Sequence, residues 1–246
     1  FSLNDKRALV VGASSGIGSA CAVALAEYGA NVTLAARRRD RLLQLQDEMN
    51  AKELETSVLQ MDVADVEGTA RKIAEHDPFD ILVNSAGLAK HSMSLDTQKK
   101  DFDTVMGINL KGAYFLTQAV AKSLFHAGKS GSLINISSQM GLVGGQERAV
   151  YCSSKHAVEG FTKAMAMEFG PASIRVNTIC PTFVVTEMTR ATFEQPEKRA
   201  WVESKIKLGR VGKVEDIMGA VVYLASDASA LVTGSALLID GGWTAG

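Results

Sequence analysis

The sequence predicts an α/β protein: a single doubly wound domain in which a seven-stranded parallel sheet is flanked by helices on both faces. Seven short apolar, β-branched runs alternate with longer segments of helical period. The runs lack strict in/out alternation, which suits strands buried on both faces, and strand-helix alternation returns each strand parallel to the last. A length of 246 residues with no Pro/Ser-rich linker favours one domain, residues 1–246.

The elements follow in order. "RALVVGA" (7–13) is the first strand, and "SACAVALAEYG" (19–29) the Ala-rich helix behind it. "NVTLAA" (31–36) leads into the helix "RRDRLLQLQDEM", and "SVLQMDV" (57–63) and "DILVNSAG" (80–87) supply the third and fourth strands. "GSLINISS" (131–138) precedes the long helix "CSSKHAVEGFTKAMAMEF", "SIRVNTICP" (173–181) is the sixth strand, and "SALLIDGG" (235–242) the last. About six helices are expected in all. Ligands of open parallel sheets bind at the carboxyl ends of the strands, where the Gly-rich stretches here also fall.

Composition excludes several classes. A hydrophobic content of 46% with 22% charged residues is that of an ordinary globular protein, and a formal net charge of -1 gives no global attraction to nucleic acid or anionic membrane. No apolar stretch approaches the roughly 18 residues of a membrane helix, and no signal-like pattern opens the chain at Phe1. Cys21, Cys152 and Cys180 are odd in number and far apart, so neither a disulfide framework nor a metal site is expected. The four histidines, His76, His91, His126 and His156, show no ligand spacing. A cytoplasmic protein without a metal is the expectation.

Two motifs carry the chemistry. "GASSGIG" places Gly12, Gly16 and Gly18, with Ser14, Ser15 and Ile17 between them, at the turn from the first strand to the first helix. Glycines there permit a tight turn and close approach of backbone N–H groups to a pyrophosphate, whose charge suits the positive end of the helix. The spacing is GxxxGxG rather than GxGxxG. In a dinucleotide fold an acid about 20 positions further on takes the ribose 2′-hydroxyl, whereas an arginine accommodates a 2′-phosphate. Ala36 stands where the acid would be, followed by Arg37 and Arg38. Cations are mildly unfavourable at a helix N-terminus, so these two point to NADP(H), while Arg39 and Arg41 are read as surface residues.

"YCSSK" sets Tyr151 and Lys155 four residues apart on one face of a helix, where an ammonium can favour an ionised phenol. "LINISS" ends in Ser137 and Ser138, and Ser138 precedes Tyr151 by 13 residues, enough for a loop to return across the same cleft. A hydroxyl at Ser138 is placed to donate to a substrate oxygen.

With "GASSGIG", "DV" at Asp62 and Val63, "NSAG" at 84–87, "IN" at Ile108 and Asn109, "ISS" at 136–138 and "YCSSK" at 151–155, the whole chain resembles the short-chain dehydrogenase/reductase family in its compact branch. The resemblance implies a Rossmann-type fold with a cofactor part over about 1–140 and a catalytic and substrate part over about 130–246. It implies that Tyr151 is the general acid in reduction and base in oxidation, that Ser138 polarises the carbonyl, and that Lys155 lowers the tyrosine pKa and holds the nicotinamide ribose. Asn109 would interrupt a helix and help to bind a proton-relaying water. Asp62 and Val63 would flank the adenine, with Asn84, Ala86 and Gly87 on the cofactor side of the sheet and Pro181, Val184 and Thr186 as further cofactor contacts. One departure stands out: family members commonly carry Pro-Gly after the sixth strand, and here Pro181 is followed by Thr182.

The substrate side is less defined. "TEMTRATFEQPEKRAWVESKIK" is expected to lie in a lid over about 183–210, with Met188, Phe193 and Trp201 as candidate contacts. Leu88, His91, Met140, Gly144, Gln146 and Arg148 are further pocket candidates; Arg148 reads either as a surface residue or as a partner for a substrate carboxylate or phosphate. The expected function is an NADP(H)-dependent carbonyl reductase/alcohol dehydrogenase acting on a small molecule, with homotetramer assembly implied by the family. An NAD(H)-dependent alcohol, polyol or sugar-acid dehydrogenase and a non-enzymatic nucleotide-sensing regulator are the alternatives. No nucleic-acid or membrane partner is expected.

Overall fold

The computed structural model describes all residues 1–246. Seven strands, β1 (Arg7–Val11), β2 (Asn31–Ala36), β3 (Thr56–Gln60), β4 (Ile81–Asn84), β5 (Gly131–Ile136), β6 (Ile174–Pro181) and β7 (Ala236–Ile239), form one sheet in the order β3-β2-β1-β4-β5-β6-β7. Every pairing is parallel; in β1, for example, Val10 lies opposite Leu34 of β2 and Val83 of β4. Six of the strands fall within the apolar runs expected from sequence, and β3 begins one residue before its run, at Thr56.

The strands sort their side chains onto two faces. Ala8 and Val10 of β1, Val32 and Leu34 of β2, and Ile81 and Val83 of β4 meet Cys21, Ala22 and Leu25 of α1 (Gly16–Glu27), Leu42 and Met49 of α2 (Arg39–Asn50), and Val221 and Leu224 of the late helix Glu215–Ala225. Their alternate neighbours, Leu9, Val11, Leu82 and Leu133, meet Ile73 of α3 (Val66–Ala74) and a long helix on the opposite side. The inner strands β1, β2, β4 and β6 are therefore buried along most of their length because both of their faces are covered, whereas the edge strands β3 and β7 are only partly buried.

That long helix runs without a break through α4 (Lys99–Met106), a π-helical turn at Gly107–Gly112, and α5 (Ala113–His126). Leu116, Val120 and Leu124 seat α5 on the sheet. The π turn holds the position at which the family resemblance expects an interruption, and π turns recur at functional sites. Behind β5, the loop carrying Gln139–Gly141 leads to α6 (Ala149–Phe169), 21 residues long. Two short helices, α7 (Arg190–Phe193) and α8 (Pro196–Lys205), follow β6, and α9 (Glu215–Ala225) precedes β7. Counted with α4 and α5 as one, six helices flank the sheet, and α7 and α8 belong to the segment read as a lid.

The chain passes from β1 outward to β3 and then returns across β1 to β4. This reversal opens a crevice between the carboxyl ends of β1 and β4, the place where open α/β sheets take ligands. No helix is long and apolar enough to cross a membrane.

Candidate active site

A cleft of about 350 Å³ lies over the carboxyl ends of β1, β2, β4, β5 and β6. One end is built from the glycine turn. Gly12 has φ +84°, and a Cβ on it would sit 2.7 Å from the backbone carbon of Ser85. A Cβ on Gly18 would fall 2.2 Å from the Gly12 carbonyl oxygen, so α1 packs onto the turn at backbone contact. Gly16, at φ +59°, faces the Thr186 methyl, at 3.2 Å from a built Cβ. Ser15 caps α1 in extended conformation without a side-chain capping bond, and no acid lies in the first turn. The N–H groups there remain directed at the cleft for an anion.

Gly12, Ser14, Ser15, Gly16 and Ile17 line this cleft; Gly18 does not. Gly18 lets helix and turn approach.

At the end of β2, buried Ala36 is followed by Arg37 and Arg38, both lining the cleft, while Arg39 and Arg41 lie outside it. Arg38 docks on the glycine turn: its Nη2 donates to Ser14 Oγ at 3.0 Å and to Ser15 Oγ at 2.9 Å. The same guanidinium reaches Glu187 beyond β6 at 3.6 Å. Arg37 is exposed, and its carbonyl accepts from Gln60 Nε2 at 3.0 Å. Asp62 and Val63 line the next stretch, with one Asp62 oxygen taken by the Ala64 N–H at 3.0 Å.

Ala86 and Gly87 line the cleft, but Asn84 does not. The Asn84 amide donates to Asn135 Oδ1 at 3.0 Å, and its own carbonyl accepts from the Ala86 N–H at 3.2 Å. These bonds shape the turn after β4 that carries Ala86 and Gly87. Asn109 is likewise buried behind the wall. Its Oδ1 accepts from the Leu88 N–H at 2.9 Å, and its Nδ2 donates to the Leu88 carbonyl at 2.8 Å and to Ser154 Oγ at 3.2 Å. The π turn aims this amide at Leu88, so Asn109 fixes the loop after β4. A Cβ on Gly87 would meet Asn109 Oδ1 at 3.4 Å and Lys155 Nζ at 3.9 Å, which places both groups around that glycine.

Ser138, Tyr151 and Lys155 converge in the cleft, as their spacing predicts. Ser138, two residues beyond β5, is in extended conformation; its Oγ accepts from the Met140 N–H at 3.1 Å and donates to Gln139 Oε1 at 2.8 Å. Lys155 is buried, donates to the Ile136 carbonyl at 2.9 Å, and lies 5.7 Å from the centre of the Tyr151 ring. Burial lowers its pKa to about 8, with Cys180 and Glu159 acting in the opposite sense.

Burial raises the Tyr151 pKa, and the Ser138 hydroxyl and then the charge of Arg148 oppose the rise. Lys155 spends its bond on the backbone at the end of β5.

On the substrate side, Leu88, His91, Met140, Arg148 and Met188 line the cleft, while Gly144, Gln146, Phe193 and Trp201 do not. Phe193 and Trp201 pack aside in an aromatic group: Phe183 stacks on Trp243 at 5.6 Å between centroids, Phe193 lies edge-on to Phe183, and Trp201 edge-on to Trp243. Pro181, Thr182, Val184 and Thr186 line the wall after β6. The Thr182 hydroxyl is buried there without a partner, so the residue in place of the usual glycine presents a hydroxyl at that wall.

Sequence reading missed Gln139 and Glu187. Gln139 is buried and bonds the Ser138 hydroxyl, a role suggested only by a polar residue beside a candidate serine. Glu187 meets Arg38 across a separation in sequence that no local pattern reveals.

The chain matches, over residues 12–244, the family model described as enoyl-(acyl carrier protein) reductase. It is 38% identical over 243 residues to D-erythrulose reductase of Gallus gallus, covering 99% of this chain and 97% of that protein. A solved structure from Agrobacterium tumefaciens with bound NADP is 39% identical, covers 100% of this chain and 98% of that one, and superposes with a TM-score of 0.95. A gluconate 5-dehydrogenase from Burkholderia cenocepacia in complex with NADP and tartrate is 31% identical, with 100% and 97% covered and a TM-score of 0.96. Together with the seven-stranded parallel sheet and the Ser138, Tyr151 and Lys155 cluster, these likenesses identify the chain as a member of the short-chain dehydrogenase/reductase family.

Proposed function

We propose that this protein interconverts a carbonyl and an alcohol on a small polyhydroxylated substrate, using NADP(H). One observation carries the reading: a Ser138 hydroxyl, a Tyr151 phenol and a Lys155 ammonium share one cleft with a glycine turn and two arginines. The residues fit a 2′-phosphorylated dinucleotide. Gly12 and Gly18 leave no room for a Cβ at the turn, the first turn of α1 carries no competing acid, and Ala36 stands where an NAD(H) site needs a carboxylate, with Arg37 and Arg38 directly after it. Likeness to NADP-bound relatives and to a ketose reductase supports the same choice.

NADP(H), when bound, supplies or accepts the hydride. The protein's own part is positional and protonic. Gly12, Ser14, Ser15, Gly16 and Ile17 would hold the pyrophosphate, Arg37 and Arg38 the 2′-phosphate, Asp62 and Val63 the adenine, and Ala86, Gly87, Pro181, Val184 and Thr186 the nicotinamide half. Ser138 turns its hydroxyl from Gln139 to the substrate oxygen. The Tyr151 phenol, kept protonated by burial, gives its proton to that oxygen as charge develops, and takes it back in the oxidation direction. Lys155, anchored on the Ile136 carbonyl, holds the cofactor ribose and supports the phenolate that remains.

Paired NADPH and NADH titrations of wild type, Arg37→Ala and Arg38→Ala test the cofactor choice. A preference for NADPH that collapses in the variants supports it; equal binding of both cofactors throughout removes it. Turnover of ketoses, keto acids and enoyl thioesters then tests the reaction, and exclusive activity on the enoyl substrate would overturn carbonyl reduction.

The assembly we propose is a homotetramer in the cytoplasm. Tyr114, Phe115 and Phe125 on α5 and Leu231 and Leu238 beside the edge strand β7 leave large apolar groups exposed on two separate faces, as two isologous interfaces require. Buried, unpaired Cys21, Cys152 and Cys180 suit a reducing compartment.

A further inference from the structure

We infer that Arg148 is a specificity residue that reads a carboxylate on the substrate, so that the preferred substrate is a polyhydroxy ketone carrying an acid group in place of a neutral sugar. The inference rests on the proposed carbonyl reaction and names its substrate class.

Four observations converge on it. Arg148 lines the same cleft as Ser138 and Tyr151, and lies one helical turn before Tyr151. Residues three apart on a helix have Cβ atoms roughly 5–6 Å from one another, which suits a short chain with its carbonyl at the phenol and an anion at the guanidinium. Although half-buried, Arg148 forms no ion pair with any carboxylate of the chain. Its guanidinium is held instead over the Phe183 ring, 5.7 Å from the centroid, a stacked arrangement that leaves the edge N–H groups to a ligand.

The backbone also directs it there. Arg148 occupies the N-cap of α6, where a cation is unfavourable and no acid in the first turn compensates. Glu147 just before it takes φ +60°, a left-handed conformation costly for a non-glycine residue, and its carbonyl accepts from the Ser92 N–H at 3.3 Å. Delivering a cation to the cleft accounts for the placement of Arg148 at that N-cap. His91, at the same mouth, is pushed down to about 4 by burial and by Arg148, leaving it neutral and free to bond a hydroxyl.

The test uses 5-keto-D-gluconate and L-sorbose, which differ in one end group, carboxylate against hydroxymethyl. Binding to the NADP-loaded protein is measured by calorimetry for wild type, Arg148→Gln and Arg148→Lys, and turnover of both compounds is measured alongside. Losing a charge-assisted contact is worth about 10- to 100-fold. Wild type is expected to bind the keto acid at least 10-fold more tightly than the sugar, with the ratio falling towards 1 in Arg148→Gln and partly kept in Arg148→Lys. A ratio near 1 in wild type, or one unchanged in Arg148→Gln, overturns the inference even if both compounds are reduced. Tight, Arg148-dependent binding of the acid with no turnover of any carbonyl compound would instead count against the proposed reaction and leave the carboxylate site standing.

Discussion

Single atoms decide whether this cleft forms. Gly18 lies so close to the Gly12 carbonyl that one added methyl has no space, and the neighbour is backbone that cannot move aside cheaply. Gly18→Ala is expected to lose at least about 1–3 kcal/mol by overpacking, read as a lower thermal midpoint, and to weaken NADPH binding more than its stability loss alone predicts. Electrostatics at Tyr151 gives a second test. The positive charge of Arg148 favours the phenolate, so its removal raises the Tyr151 pKa. Because oxidation needs the phenolate, the acidic limb of kcat/KM for alcohol oxidation moves to higher pH in Arg148→Gln; no movement would show that Arg148 does not act on the phenol. The sequence made Ser138, Tyr151 and Lys155 legible because their spacing alone brings them together. It left Gln139 and the charge that Arg148 sets beside the tyrosine obscure, since these depend on where a buried amide and a guanidinium point.

The segment after β6 is tied to the cofactor side of the cleft by one element-to-element contact. Arg38 of the β2–α2 junction meets Glu187 while also bonding Ser14 and Ser15. A 2′-phosphate would compete with Glu187 for that guanidinium, so the acid weakens NADPH binding and leaves NADH unaffected. Both partners are well exposed, which limits the pair to about 0.2–1 kcal/mol. Glu187→Gln is therefore expected to tighten NADPH binding up to about five-fold in titrations at low salt, with no gain for NADH; an equal gain for both cofactors would contradict the competition. The seven strands were legible because each has an apolar, β-branched centre set between segments of helical period. The π turn at Gly107–Gly112 was not, because a one-residue change of helical register leaves the apolar period of "DTVMGINLKGAYFL" almost intact. Of the three candidate lid residues, Met188 faces the cleft, whereas Phe193 and Trp201 join the aromatic group around Phe183 and Trp243. Sequence period alone does not distinguish those two destinations for an apolar side chain.

At the scale of the molecule, one parallel sheet brings residues 12, 37, 62, 86, 138 and 151 to a single edge, although they span more than half of the chain. The fold was readable from the alternation of strands and helices; assembly was not, because exposed Phe125 and Leu231 look in sequence like any other apolar residues. Sedimentation velocity is expected to give a species of four chains, and Phe125→Glu or Leu231→Glu to reduce it to dimers; a monomer at micromolar concentration would contradict the two-interface reading. The central claim is that Tyr151 transfers the proton in an NADPH-linked carbonyl reduction. The measurement that meets it most directly is steady-state turnover of wild type and Tyr151→Phe on a ketose or keto acid, with NADPH affinity determined on the same samples. General acid–base catalysis is worth about 10²–10⁴-fold, so kcat is predicted to fall by at least 10²-fold while the dissociation constant for NADPH stays within about three-fold. Turnover retained in Tyr151→Phe, or lost only in step with cofactor binding, would contradict the assignment.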